Sequence, residues 1–466
     1  MKEYDVVVIG SGPGGYVAAV RAGHLGLKAA IVEKESTGRL GGTCLLRGCI
    51  PTKAMLHSAE VLEELRHAKD FGIAAGEVSV DFAGVQKWKD KAVTKSASGV
   101  NYLMKQNGVD VYKGAGRLQD PNTVVIEQDG SPQALKTRGV IVATGSVPKQ
   151  LPFLPVDGKH VVTSDEILEL ERPPKSLVVL GAGAVGVEFA SIFRDFGAEV
   201  TVVEMLDRLV PNEDREVSLE FEKLFRKRGV AARTATKLET ARVADGAVVC
   251  ELATPNGSET LQAEMVLVAI GRGPVTRDLG LQEVGVQLTE TGHIPVDATM
   301  STNIEGIYAI GDIVPTPWLA HTASAEGIVA VDHIAGNNPT PINYDHTPYC
   351  TYSNPEVASV GLSEEEAKQR GYAIKTGKFP FSASGKARIM GQTQGFVKII
   401  SDKRYDEVLG VHIVGPRATD LIAEACVGLS LETTTEALAN VVHAHPTLTE
   451  AVMEAAHGAM HRPIHL

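Results

Sequence analysis

Asp5-Val6-Val7-Val8-Ile9-Gly10-Ser11-Gly12-Pro13-Gly14-Gly15 is the stretch on which the reading of this chain turns. Residues 6–9 are apolar without alternation, the pattern of a strand buried on both faces of a parallel sheet. The glycines form a turn, and residues 16–25 carry a helix. Lys28-Ala29-Ala30-Ile31-Val32 is the next strand, ending at Glu33 with Lys34 beside it. In that order the segments form a βαβ unit with a dinucleotide fingerprint. Gly10, Gly12, Gly14 and Gly15 let the backbone approach a pyrophosphate, and the helix N-terminus stabilises its charge. The Glu33 carboxylate accepts hydrogen bonds from a ribose. A glycine-rich turn in an α/β protein that binds no nucleotide has the same local pattern.

The unit recurs. Ser176-Leu177-Val178-Val179-Leu180 is a strand, Gly181-Ala182-Gly183-Ala184-Val185-Gly186 a turn, and residues 187–196 a helix that carries Glu188. Glu199-Val200-Thr201-Val202-Val203 then ends at Glu204. Gly10 to Glu33 and Gly181 to Glu204 are each a step of 23 residues. For this second site the expected contacts are Gly181, Gly183, Val185, Gly186, Glu188 and Glu204, with Gly271 from a later strand end. A carboxylate at Glu204 suits the free 2′-hydroxyl of NAD and repels the 2′-phosphate of NADP. Arg208 lies nearby, but no arginine directly follows Glu204, so NAD is the expected nucleotide.

Beyond these units, helical patterns cover 52–69 and 82–106. Val140-Ile141-Val142-Ala143 is a strand entering a tight turn at Thr144-Gly145-Ser146. Prolines at 148–155 and at 173–174 mark crossover linkers. Residues 266–271 form an apolar strand ending in glycine, and Ile307-Tyr308-Ala309-Ile310-Gly311-Asp312 repeats that form with an acid at its end. After Asn337 and Pro339 the pattern becomes mixed strand and helix, which indicates a further domain.

The 466 residues suit about three domains. A net charge of −12 and an aromatic content of 5% argue against nucleic acid and against an anionic membrane surface. No apolar run reaches the length of a membrane span, and residues 6–9 are too short for a signal-peptide core. A cytoplasmic location is the expectation. Five cysteines in a chain this long do not make a secreted disulfide scaffold. Cys250, Cys350 and Cys426 are isolated and read as packing residues, and no tetrahedral metal-ligand spacing is present.

The other two cysteines stand in Gly41-Gly42-Thr43-Cys44-Leu45-Leu46-Arg47-Gly48-Cys49-Ile50-Pro51-Thr52-Lys53. Residues five apart in a regular helix have Cα atoms roughly 8.6 Å apart. A disulfide needs them within about 7 Å. A bridge between Cys44 and Cys49 therefore requires a departure from helical geometry, which Gly48 can supply. On spacing alone, two buried free cysteines are the favoured reading, which the flanking sequence reverses.

The run from Gly41 to Lys53 resembles the redox-active segment of the flavin-linked disulfide oxidoreductases. Thr144-Gly145-Ser146, Gly311-Asp312 and His445-Pro446-Thr447-Leu448-Thr449-Glu450 fit that family in the same order, so the resemblance spans nearly the whole chain. It implies an α/β fold of two Rossmann-like domains, for FAD and NAD, plus an α+β C-terminal dimerisation domain. The FAD domain would be discontinuous, at 1–147 and 274–345, with the NAD domain at 148–273 and the dimerisation domain at 346–466. Within the family the likeness is to members that oxidise protein-bound dihydrolipoamide with NAD. A homodimer serving the lipoyl domains and core of a 2-oxo-acid dehydrogenase complex is the implied assembly.

The resemblance also assigns residues. Glu33 would hold the FAD adenosine ribose, and Asp312 the ribityl or pyrophosphate region. Gly42, Thr43, Cys44, Lys53, Gly116, Thr144, Gly145, Ser146, Trp318, Leu319, Ala320 and His321 would complete the FAD site. The family often has methionine where Trp318 stands, and its commonest pair differs from Leu46 and Arg47. Lys53 would lie near the flavin with Glu188 as its partner. Cys44 would meet the substrate dithiol and Cys49 would pass electrons to FAD, and thence to NAD. His445, oriented by Glu450, would act as base on the cysteines of the other subunit. His443 is the competing histidine. His457, His461 and His465 read as surface residues. A glutathione-reductase-type member and a non-enzymatic flavoprotein redox sensor are the alternatives.

Overall fold

The computed structural model describes residues 2–35, 37–127 and 132–466, which divide into two compact units. The first comprises Met1–Met55, Ala83–Lys149 and Arg272–Tyr344; the second comprises Leu56–Phe82, Gln150–Gly271 and Asp345–Leu466.

The first unit is built on a seven-stranded sheet in the order Asp110–Lys113, Ala29–Glu33, Lys2–Ile9, Gln133–Val142, Thr123–Glu127, Ala115–Asp120. Ile307–Ala309 pairs with the far end of Gln133–Val142. Lys2–Ile9 is parallel to both of its neighbours. Its unbroken apolar run is explained by burial on both faces. Val6 and Val8 pack with Ala18, Ala22 and Val329 on one side, and Val7 and Ile9 with Leu118, Val124 and Ile294 on the other. The first helix is Pro13–His24, three residues ahead of the expected start. Proline has no N–H to lose at the first helical position, so the turn's glycines become the first turn of the helix.

In the second unit, Ala231–Arg233, Glu199–Val203, Ser176–Leu180, Met265–Val268 and Val161–Val162 form a parallel sheet. A three-stranded antiparallel meander, Lys237–Ala244, Ala247–Thr254 and Gly257–Ala263, packs on it through Leu238, Val248 and Leu252. The helix Ala184–Asp195 again begins earlier than expected, immediately after Gly183. Cys250 is buried in this core, and Cys350 and Cys426 pack against the next one.

The same unit holds a five-stranded antiparallel sheet in the order Tyr349–Thr351, Glu356–Gly361, Val408–Gly415, Phe396–Asp402, Ile374–Pro380. One face carries Ala358, Val360, Ile413, Val411, Val397 and Ile399 beneath helices Ala418–Ser430 and Glu450–Ala459. Gly377 lets the second helix lie with its backbone on the strand, since a Cβ there would stand 2.0 Å from Ala455 O.

The opposite face carries a polar row. Tyr349, Ser359, His412, Lys398 and Lys378 are successive cross-strand partners. Lys398, 1% exposed, donates to Asp214 at 2.9 Å and to Glu364 at 2.8 Å. His412 donates through Nε2 to Leu362 O at 3.0 Å. Glu213 is buried beside this row, and its Oε2 has no partner among the described residues. Burial pushes the Glu213 carboxyl up to about 7, with Asp214 and Glu366 adding to the rise. The folded state then keeps a proton that the unfolded chain releases near the ordinary carboxylate range. Stability attributable to this group falls as pH rises from about 4.5 to 7, by about 3 kcal/mol at most, and stays flat above. Glu213→Gln is therefore expected to raise the melting temperature at pH 8 and leave it unchanged at pH 4. Melting curves at both values check this, and equal shifts at both would refute it.

Candidate functional site

The two glycine turns are built alike. A Cβ at Gly10 would lie 2.3 Å from Ala143 O, and one at Gly181 would lie 2.5 Å from Ala269 O. A Cβ at Gly15 or Gly186 would stand 2.0 Å from the carbonyl oxygen of Gly10 or Gly181. Gly12 and Gly183, the helix caps, face open space and offer no side-chain cap, so the first helical N–H groups remain available. The strand-end acids brace the turns. Glu33 accepts from Ser11 N at 2.9 Å, from Ser11 Oγ, and from Glu35 N at 2.9 Å. Glu204 accepts from Ala182 N at 2.7 Å and Leu206 N at 2.9 Å. Each carboxylate keeps acceptor capacity for a ribose hydroxyl. A cradle closed to side chains, with uncapped helix starts and an acid at the strand end, fits a dinucleotide in both places. Lys34 is exposed beyond the first strand, Val185 is exposed on the second helix, and Gly271 has φ +109°.

Arg208 is committed elsewhere: it donates to Pro211 O at 3.2 Å and pairs with Glu365 at 3.5 Å. Glu188, 4% exposed, accepts the Tyr352 N–H at 3.0 Å.

The cysteine segment leans on the first turn. The Gly41 N–H donates to Ser11 Oγ at 3.1 Å, and a Cβ on Gly42 would lie 2.6 Å from Gly12 Cα. The helix Gly42–Arg47 stops at Gly48, with φ −140° and ψ −111°, and Cys49–Arg66 begins a new one. The interruption expected between the cysteines thus falls at Gly48. A side chain there would crowd Thr43 O at 3.1 Å and Cys44 Cα at 3.4 Å. The adjoining Cys49 side chain, then burial, holds the Cys44 thiol well above the ordinary thiol range, while the nearby Lys53 charge acts in the opposite direction. Cys49 is the first residue of an 18-residue helix, where the dipole favours negative charge.

The remaining residues assigned to the first site gather at the strand ends of the same unit. Thr144 Oγ1 donates to Val275 O at 2.6 Å. Ser146 Oγ donates to Asp312, and Arg272 donates to Ser146 Oγ and O, both at 2.7 Å. Gly116 packs against Val32 and Ile9. Trp318 donates to Val314 O at 3.2 Å and its ring lies 5.2 Å from that of His293. Leu319 caps helix Ala320–Ile334 without a side-chain bond, and His321 is exposed in its first turn.

Sequence reasoning missed Ser11, Arg272 and Glu326. Ser11 is the unspecified residue inside a glycine motif, and Arg272 follows directly on Gly271. Glu326 is a carboxylate set among the small and apolar residues from Ala323 to Val331, which was the available signal.

In the second unit, His445 Nδ1 lies 2.8 Å from Glu450 Oε1, and Glu450 Oε2 accepts the Thr447 N–H at 2.8 Å. Burial acts to raise the Glu450 carboxyl, but the Thr447 N–H and His445 outweigh it and hold it below the usual range. The carboxylate accepts Nδ1–H, so Nε2 of the exposed imidazole is left as the acceptor. His443 differs: Nδ1 meets Val441 O at 2.9 Å and Nε2 meets Glu424 at 2.7 Å, so both nitrogens are engaged. His465, exposed as expected, is tethered to the buried Glu454 at 2.7 Å. No helix among the described residues is long and apolar enough to cross a membrane.

Comparison with known proteins adds an independent finding. The pyridine nucleotide-disulphide oxidoreductase family model matches residues 4–327, and the dimerisation domain of that family matches residues 347–456. The protein of Bacillus subtilis (strain 168) named dihydrolipoyl dehydrogenase is 46% identical, covering 99% of each chain. Dihydrolipoyl dehydrogenase 3 of Pseudomonas putida is 44% identical over 98% of each. The crystal structure of LpdA from Mycobacterium tuberculosis superposes with a TM-score of 0.90 at 27% identity, covering 98% of this chain and 99% of that one.

Proposed function

Because this chain belongs to the pyridine nucleotide-disulphide oxidoreductase family, we propose a residue-by-residue account of a dihydrolipoyl dehydrogenase reaction, in which dihydrolipoamide is oxidised to lipoamide by NAD. FAD and NAD are the cofactors, and FAD supplies the two-electron link between the dithiol and NAD. Gly10, Gly12, Gly14, Gly15, Glu33 and Asp312 would hold FAD. Gly181, Gly183, Gly186 and Glu204 would hold NAD.

In the oxidised enzyme Cys44 and Cys49 share a disulfide. A substrate thiolate attacks Cys44, forming a mixed disulfide and releasing Cys49 as a thiolate on its helix N-terminus. The second substrate thiol attacks the mixed disulfide, lipoamide leaves, and Cys44 is released. Two protons and two electrons have then passed from substrate to enzyme. His445, on a second copy of the chain, takes the first proton at Nε2 while Glu450 stabilises the imidazolium. The raised Cys44 thiol keeps the other proton. Lys53 places a positive charge beside the pair. The engagement of both His443 nitrogens supports the choice of His445.

The observation that carries this reading is the cysteine pair set across a helix break at Gly48, in a segment whose first glycines touch the first glycine turn. Lipoyl groups borne by a 2-oxo-acid dehydrogenase complex are the proposed substrate, a homodimer the proposed assembly, and the cytoplasm the proposed setting. A steady-state assay compares dihydrolipoamide with NAD against glutathione disulfide with NADPH. Turnover is expected only with the first pair. Turnover only with the second would assign the chain to a different substrate, and none with either would leave a redox sensor.

A further inference from the structure

We propose that Glu326 is a positioning residue for FAD: it holds the Gly311-Asp312 turn in place against the first glycine turn. Glu326 is fully buried in helix Ala320–Ile334. Its Oε2 accepts the Gly311 N–H at 2.7 Å, and its Oε1 accepts from Thr316 Oγ1 at 2.6 Å and Tyr344 OH at 3.1 Å. Burial pushes this carboxyl up, and those three donors act against the rise. An apolar side chain of the same size would fill the space but leave the Gly311 N–H buried without an acceptor.

The second half of the argument is the helix that carries Glu326. A Cβ on Gly327 would stand 2.7 Å from Gly14 O, and one on Gly14 would stand 2.9 Å from Ala323 O. One turn of this helix therefore lies in backbone contact with the first glycine turn. From that fixed position the Glu326 carboxylate reaches the residue before Asp312. The two halves of the site are 297 residues apart in sequence from Gly14 to Gly311, and Glu326 links them across a single helical turn.

The inference rests on reading the first glycine turn as the FAD site. Its test uses the full-length holoenzyme and follows FAD release on dilution by the rise in flavin fluorescence. Glu326→Ala is expected to accelerate release roughly 10- to 100-fold, as losing hydrogen bonds to a charged group implies. Glu326→Gln can still accept from Gly311 N–H through its oxygen, and its amide can donate to the Thr316 and Tyr344 hydroxyls. It is expected to restore release to within about threefold of the unaltered enzyme. NADH affinity, a property of the other unit, should not move in either variant. A wild-type release rate in Glu326→Ala would overturn the proposal, and so would a Glu326→Gln enzyme as fast as Glu326→Ala. Should Glu326→Ala fail to fold, the Thr316→Val/Tyr344→Phe double variant is expected to release FAD several-fold faster, and an unchanged rate there overturns the proposal equally. A wild-type protein that purifies without FAD would instead reject the site reading.

Discussion

Cys49→Ser is expected to reduce dihydrolipoamide oxidation to background while leaving NADH-dependent dye reduction near the wild-type rate. The dithiol's electrons enter the enzyme only by exchange with the Cys44–Cys49 disulfide, and serine cannot form that bond. A serine hydroxyl is smaller and still polar, so it replaces the thiol at the helix start without opening a large cavity. Dye reduction draws on NADH and needs no cysteine. The two activities, measured on one preparation, therefore separate loss of the redox pair from loss of the fold. Dihydrolipoamide turnover retained in Cys49→Ser would remove the disulfide from the pathway.

His445→Gln is the second large effect. Glutamine can still reach Glu450 but takes no proton at neutral pH, so dithiol oxidation should fall by about 10²–10⁴-fold, the usual worth of a placed base. Dye reduction should persist. The same variant tests whether the base acts between subunits. A heterodimer of one Cys49→Ser chain and one His445→Gln chain contains an intact cysteine pair and an intact histidine on different copies. Action between subunits predicts about half the wild-type rate for that heterodimer. Action within one chain predicts almost none. An unchanged rate in the His445→Gln homodimer would reject the assignment outright.

The features legible in the sequence are those whose chemistry sits within a short run. Each glycine turn lies between its own strand and helix, and its acid follows at the end of the next strand, so periodicity and spacing revealed both. The cysteines and the His445–Glu450 pair are equally local, five residues apart in each case. The helix starts were misplaced because Gly14, Gly15 and Gly186 look like turn residues. They lie inside the helices, and they are glycines because a close carbonyl excludes any side chain there. Other features depend on long-range packing that no window of sequence contains. Ser146 meets Asp312 across 166 positions, and Glu326 reaches Gly311 only because its helix lies on Gly14. The row from Tyr349 to Lys378 exists only once five strands are in register, and its members are individually unremarkable in sequence.

That row constrains how the chain can vary. Lys398 is shared by Asp214, Glu216 and Glu364 with almost no access to water. Replacing the lysine alone would strand the Asp214 carboxylate in a buried setting, and replacing Asp214 alone would leave the lysine short of charge. Exchanging the whole group for well-packed apolar residues need carry no such penalty. Positions 214, 364 and 398 should accordingly drift as a set across descendants of this sequence, with intermediates that alter only one of them rare.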